Sequence, residues 1–93
     1  MSWLTYLELE GAELVLGYVT NNATQIEADL QPYVKEGEND LVALAEKLNN
    51  PFVTEAAKLA VKYLGENLPK YEGSAVGWIE AALTALIAKL KAA

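Results

Sequence analysis

The side chains of this sequence that could do chemistry are almost all carboxylates. The chain has 13 Asp and Glu residues and seven basic residues, all of them Lys, with no His and no Cys. Without His it lacks the commonest general base near neutral pH, and without Cys it lacks a thiolate nucleophile and a sulfur metal ligand. The absence of Arg removes the bidentate clamp for phosphate. We therefore predict no enzymatic activity and assign no catalytic or cofactor-binding residue.

Two pairs of closely spaced acidic residues are candidates for an acid/base site. Glu8 and Glu10 are two residues apart and share a face only if they lie on a strand. Glu27 and Asp29 have the same spacing on an expected helix, where it does not bring carboxylates together. Both pairs are interpreted as solvated surface residues.

A third acidic group alternates along a polar loop. Glu36, Glu38 and Asp40 offer the oxygen ligands that Ca²⁺ takes, and Gly37 lies between the first two. Their spacing matches the EF-hand loop only in part, because that loop needs ligands at fixed offsets and a Glu at the twelfth position. No metal site is assigned, and a weak site at Glu36–Asp40 is left open.

The segment 74–93 has the clearest helical pattern. At about 100° per residue its apolar side chains fill about half of the circumference, wider than the ~100° stripe of an ordinary surface helix. These side chains are Trp78, Ile79, Ala82, Leu83, Leu86, Ile87 and Leu90. Such a helix must be covered on more than one side, by its own chain or by another.

Residues 2–20 fit two structures. As a helix they place Trp3, Leu7, Gly11, Leu14 and Tyr18 on one face. As a hairpin that turns at Gly11 and the following Ala, they alternate apolar and acidic side chains with a period of two. The Leu, Glu and Ala content favours the helix, and a lone ribbon is marginal in water. A helix is predicted, with the hairpin as the alternative.

Three further helices are predicted between these terminal segments. The first runs from Ala23 to about residue 31, where Pro32 ends or kinks it. The second spans 40–48, and the third spans 51–64 and is expected to bury Phe52. Ser2, Asn39 or Asp40, Asn50 and Ser74 are the expected N-caps. The sequence thus predicts an all-α fold, a small bundle of four to five helices in a single domain, residues 1–93. The alternative is an α+β fold with an N-terminal β-hairpin on a helical bundle.

The apolar content indicates association. Apolar residues make up 53% of the chain, above the usual ~45–50%, although a chain this short buries only about 60–65% of its unfolded surface. We therefore expect a homo-oligomer or a protein partner that covers the apolar terminal segments. The interface candidates are Trp3, Leu7, Leu14, Tyr18, Trp78, Ile79, Leu83, Leu86 and Leu90.

The charge distribution bears on the class of partner and on location. The net charge is −6, and residues 1–40 hold eight acids and one base, so this acidic half should repel nucleic acid and anionic membranes. Direct binding to nucleic acid is therefore not expected. Membrane binding is not expected either, since the last helix has Glu80 and Thr84 where interfacial helices carry Lys or Arg. No signal peptide or transmembrane segment is apparent. We expect a cytoplasmic protein, or one within a particle assembled inside the cell.

Two functions are consistent with these features. The first is a non-enzymatic structural or assembly protein, a small helical subunit that self-associates or docks into a larger complex, for example a viral or phage particle. The alternative is an acidic inhibitor or adaptor that uses residues 1–40 to cover a basic surface on a partner protein.

Overall fold

The computed structural model describes residues 2–93. Within these residues the chain forms five α-helices and no β-strand. They are α1 (Trp3–Asn21), α2 (Ala23–Lys35), α3 (Leu41–Glu46), α4 (Pro51–Leu64) and α5 (Ala75–Ala92), and a 3₁₀ turn, Gly65–Asn67, follows α4. The predicted all-α bundle is confirmed, and the alternative with an N-terminal hairpin is wrong.

The central element of the bundle is α5, which packs against each of the other four helices. Its broad apolar arc is covered by its own chain, since Trp78, Ile79, Ala82, Leu83, Leu86 and Leu90 are all buried. Thr84 and Lys91 on the opposite side are exposed. Glu80 lies at the margin of the buried face and accepts a hydrogen bond from Thr20 Oγ1 of α1, at 3.0 Å. The fold is thus arranged around the last helix.

The N-terminal segment is one continuous helix. Ser2 caps it, and its Oγ accepts a hydrogen bond from the backbone N–H of Thr5 at 3.1 Å. The residues of α1 that face the core are Leu9, Ala12, Val15 and Val19. Their spacing of three and four residues matches one helical face, and a helix pairs its backbone groups internally, which a lone ribbon cannot do along its edges.

Pro32 does not end α2, in contrast to the boundary expected near residue 31. The helix continues to Lys35, and the carbonyl of Pro32 accepts a hydrogen bond from the N–H of Glu36. Tyr33 and Val34 are half-buried and pack against the core. Burial of these two side chains offsets the hydrogen bond that a proline inside a helix removes.

The other helix boundaries follow local sequence signals. Asp40, Asn50 and Ser74 each accept hydrogen bonds from backbone N–H groups of the helix that follows, as the N-cap preference predicts. The third helix is shorter than expected and ends at Glu46. Residues 47–49 form a tighter turn that closes with Asn49 in the left-handed region, at φ 53°.

The side chains of Glu27 and Trp78 form hydrogen bonds that fix the start of α5. The Glu27 carboxylate on α2 accepts hydrogen bonds from Ser74 Oγ at 2.6 Å and from the N–H groups of Ala75 and Val76 at 3.3 and 3.1 Å. It therefore satisfies N–H groups of the first turn that have no partner within the helix. The indole N–H of Trp78 donates to the Pro69 carbonyl at 2.6 Å and holds the preceding loop.

Candidate protein-interaction surface

One exposed face of α1 is apolar, and it lies about 115° around the helix from the centre of the face that is buried in the core. Five residues recur along this face with spacings of three, four, three and four: Leu4, Leu7, Gly11, Leu14 and Tyr18. We call this set the α1 stripe. All five are exposed, with Leu14 76% accessible. Alternation of three and four is the spacing at which a helix packs along a second helix in a coiled coil.

Aromatic side chains extend the α1 stripe at the start of the helix. Trp3 is 74% exposed and stacks on Tyr6 with ring centroids 6.3 Å apart. Large exposed aromatic side chains are unusual on a monomer surface and frequent at protein interfaces. The exposed apolar surface of α1 therefore continues to the first turn of the helix.

Phe52, in the first turn of α4, adds a second helix to this surface. Its side chain is 74% exposed and lines two adjoining clefts of about 230 and 360 Å³ between α1 and α4. Leu7, Gly11 and Val15 contribute from α1, and Leu59 from α4. We call these clefts together the α1–α4 groove. The groove exists because α1 and α4 both pack chiefly on α5 and make fewer contacts with each other.

The charged residues that line the α1–α4 groove are Glu8 and Glu55. Glu8 Oε1 accepts a hydrogen bond from the Tyr63 hydroxyl at 2.7 Å, and this bond, together with partial burial and the carboxylate charge, raises the pKa of Tyr63. The carboxylate of Glu10 likewise raises the pKa of the Tyr6 hydroxyl, through a hydrogen bond and through its negative charge. The surface around the α1 stripe is thus acidic.

The structure divides the predicted interface residues into two groups. Trp3, Leu7, Leu14 and Tyr18 lie exposed on one face of α1, as the helical pattern placed them. The prediction for the other five residues is corrected, because they are buried in the chain's own core, where α5 packs against the other four helices. These residues are Trp78, Ile79, Leu83, Leu86 and Leu90.

Phe52 is the residue of this surface that the sequence analysis assigned wrongly to the core. The buried residues of α4 are Val53, Ala56, Ala57, Ala60 and Leu64. At 100° per residue, Phe52 lies about 100° from the centre of that face. Its angular position was therefore a usable signal, and its hydrophobicity alone was misleading.

Several of the acidic residues that were candidates for a site accept hydrogen bonds from other groups of the same chain. Glu38 accepts a hydrogen bond from the N–H of Asp40, and the Asp40 carboxylate caps α3 through the N–H of Ala43. Across residues 2–93, no three acidic side chains converge where they could hold a metal ion. Glu27 has the capping role described above, which the sequence analysis missed because its partners lie 47 to 49 residues away.

The sequence shows no significant similarity to any protein-family model, curated protein or solved structure with which it was compared. None of the helices between residues 2 and 93 is long and apolar enough to cross a lipid bilayer.

The two glycines of α1 provide a test of the helix surface. A methyl group added at Gly11 or at Gly17 would meet no heavy atom within 4 Å, and both glycines lie within the helix. We expect Gly11→Ala and Gly17→Ala each to raise the free energy of unfolding by about 0.5–1 kcal/mol, because alanine has the higher helix propensity. Urea unfolding followed by circular dichroism measures this, and a loss of stability in either variant would contradict the open geometry.

Proposed function

We propose that this chain is a non-enzymatic structural or assembly protein, a small helical subunit that docks onto a protein partner through the α1 stripe and Phe52. The observation that carries the proposal is the apolar face of α1 that remains exposed beside the face buried in the core. A contiguous apolar surface of this kind is typical of a protein-interaction site.

The exposed apolar residues contribute little to the fold of the chain itself. In the part of the chain that the structure describes, 22 buried side chains from all five helices form the core, and they include neither a member of the α1 stripe nor Phe52. Within residues 2–93, no buried polar side-chain atom lacks a hydrogen-bond partner. Since the core is complete without these residues, their apolar character is better explained by contact with another molecule than by a role in folding.

The residue types of this surface also fit an interface. Trp and Tyr are enriched among the residues that dominate binding energies, and Trp3 and Tyr18 lie at opposite ends of the face. Leu14, near the Tyr18 end, is the most exposed of its large apolar residues. These features support a partner that lies along α1 over several helical turns.

Site-specific photo-crosslinking tests the proposal in the cells that make the protein. A benzophenone side chain at position 7 or 14 is expected to form a discrete adduct with a partner or a second copy. The same group at position 61 should form none, because Val61 is exposed and apolar but lies outside the α1–α4 groove. Absence of an adduct from both α1 positions, together with a monomer in sedimentation velocity up to millimolar concentration, would refute the proposal.

Leu14→Ser is the corresponding loss-of-binding variant, with Val61→Ser as the matched control. We expect Leu14→Ser to reduce adduct formation from position 7 by about 10-fold, which corresponds to a loss of about 1.4 kcal/mol of binding, the size expected when a residue that dominates an interface is truncated. Both variants should change the free energy of unfolding by less than about 0.5 kcal/mol, because both side chains are exposed. Equal adduct yields from the two variants would contradict the assignment of Leu14.

The alternative function, an acidic inhibitor or adaptor, relied on the charge of residues 1–40. Among the acids of residues 1–40, Glu38 and Asp40 accept hydrogen bonds from backbone groups of their own segment, so they offer less to a basic partner. The carboxylates beside the α1–α4 groove are a better basis for charge recognition. The place in a viral or phage particle stays a prediction.

A further inference from the structure

We infer that the α1–α4 groove binds an amphipathic helix of a partner protein, one whose polar flanks carry Lys or Arg. This inference rests on the proposed function and specifies the class of partner. It is carried by the spacing of the α1 stripe together with the charges that line the groove.

The form of the partner follows from the spacing. Leu4, Leu7, Gly11, Leu14 and Tyr18 repeat every three and four residues along α1, and side chains at this spacing interlock with those of a second helix. Phe52 and Leu59 supply a wall from α4, so the partner lies against two helices rather than one. A helix that lays its apolar face into a hydrophobic groove is a recurrent mode of protein recognition.

The charge of the partner follows from the rim. Glu8 and Glu55 line the groove, and no Lys lines it in the part of the chain described. Lys58 forms an exposed ion pair with Glu55, at 3.6 Å, and is one turn further along α4. Glu10 adds a third carboxylate beside the α1 stripe. Lys or Arg at the flanks of an incoming helix would complement these charges, and acidic flanks would be repelled.

A second copy of the chain is a poorer occupant than such a partner. In a second copy the apolar face of α5 is buried, so the apolar helix surface that this copy could offer is its own α1 stripe. Helix α1 carries three Glu residues and no Lys, and two α1 helices packed face to face would bring carboxylates toward carboxylates. Like charges placed against each other across an interface disfavour that pairing.

Two synthetic peptides test the inference on the full chain. Each has about 18 residues, enough for appreciable helix, with Leu at every position of a three-four repeat. One carries Lys at the flanking positions and the other carries Glu. Fluorescence anisotropy of the labelled peptides is expected to show the Lys peptide binding about 10-fold more tightly than the Glu peptide at low salt, with the preference falling as salt screens the charges.

Variants of the protein locate the binding. In a chain with Glu8→Gln and Glu55→Gln, where glutamine can still accept the Tyr63 hydrogen bond, the preference should fall to about twofold. Leu14→Ser should weaken binding of the Lys peptide about 10-fold, whereas Val61→Ser should not. Equal binding of the two peptides, or binding of the Lys peptide that ignores Leu14→Ser, overturns the inference.

The remaining outcomes separate the inference from the proposed function. If neither peptide binds, or if the chain forms a dimer in sedimentation velocity that Leu14→Ser dissociates, the basic helix is not the occupant and the inference fails. The proposed function then still stands if position 7 or position 14 forms an adduct. It fails with the inference only when both adducts are absent and the chain is monomeric.

Discussion

Trp78→Ala is expected to lower the free energy of unfolding by about 3–5 kcal/mol, the range for truncation of a buried large aromatic side chain. The Trp78 side chain is 6% exposed and forms a T-shaped pair with Tyr71, with ring centroids 6.0 Å apart. Its loss would leave a cavity where α5 begins and would also remove the hydrogen bond to the Pro69 carbonyl. Urea unfolding monitored by circular dichroism gives the free energy.

Trp3→Ala is the matched control, since it removes the same side chain from an exposed site. We expect a change of less than about 0.5 kcal/mol in the free energy of unfolding, because Trp3 is 74% exposed. Trp78→Phe separates packing from hydrogen bonding, with an expected cost of about 1–3 kcal/mol from the Pro69 carbonyl that loses its donor and the smaller ring. Comparable destabilisation by Trp3→Ala and Trp78→Ala would contradict the assignment of one residue to the core and the other to the surface.

Glu27→Gln is expected to lower the free energy of unfolding by about 1–2 kcal/mol near neutral pH. The Glu27 carboxylate accepts bonds from the first turn of α5, where the helix dipole favours negative charge, and a neutral amide is a weaker acceptor. Asp29→Asn is the matched control on the same helix. Asp29 accepts one exposed hydrogen bond, from Gln25, and its replacement should cost less than about 0.5 kcal/mol.

The contribution of Glu27 should depend on pH. Partial burial acts to raise the pKa of Glu27, but hydrogen bonds from Ser74, Val76, Gln31 and Ala75 outweigh it and hold the pKa below its usual value. The folded chain therefore binds the Glu27 proton less readily than the unfolded chain. The stabilisation is fully present above the ordinary Glu pKa of about 4.3 and is lost as the pH falls through the lowered value.

Unfolding curves of wild type and Glu27→Gln across acidic pH measure this dependence. The difference in unfolding free energy between the two proteins should be constant above about pH 5.5 and should shrink as the pH falls below about 4.3. The difference between wild type and Asp29→Asn serves as the reference. A Glu27→Gln difference that persists undiminished at the acidic end would contradict the capping role.

The helices and their caps were predictable because they depend on local sequence. Asn50 and Ser74 are followed directly by helical segments, and their side chains bond backbone groups two or three residues away. The apolar arc of α5 was equally clear from its period. The path of the chain through Pro32 was not predictable locally, because burial of Tyr33 and Val34 against other helices maintains the last turn of α2.

The main error in the predicted site was the assignment of interface residues to α5 as well as to α1. Both α1 and α5 carry apolar side chains around much of their circumference, and the sequence analysis assigned interface residues to both. Charge distinguishes them, because α1 carries Glu8, Glu10 and Glu13 whereas α5 has only Glu80 before its last turn. Burial of a broad arc of a helix is costly when its carboxylates cannot reach water, so α5, which has fewer carboxylates than α1, takes the central position.

The central position of α5 has a consequence for synthesis on the ribosome. Every earlier helix rests on this one, and the α1–α5 contacts join segments roughly 60 residues apart or more. While the chain is being translated, the inward sides of the first four helices lack their cover until the final helical segment leaves the exit tunnel. Closure of so large a loop slows folding relative to helical bundles whose contacts are local.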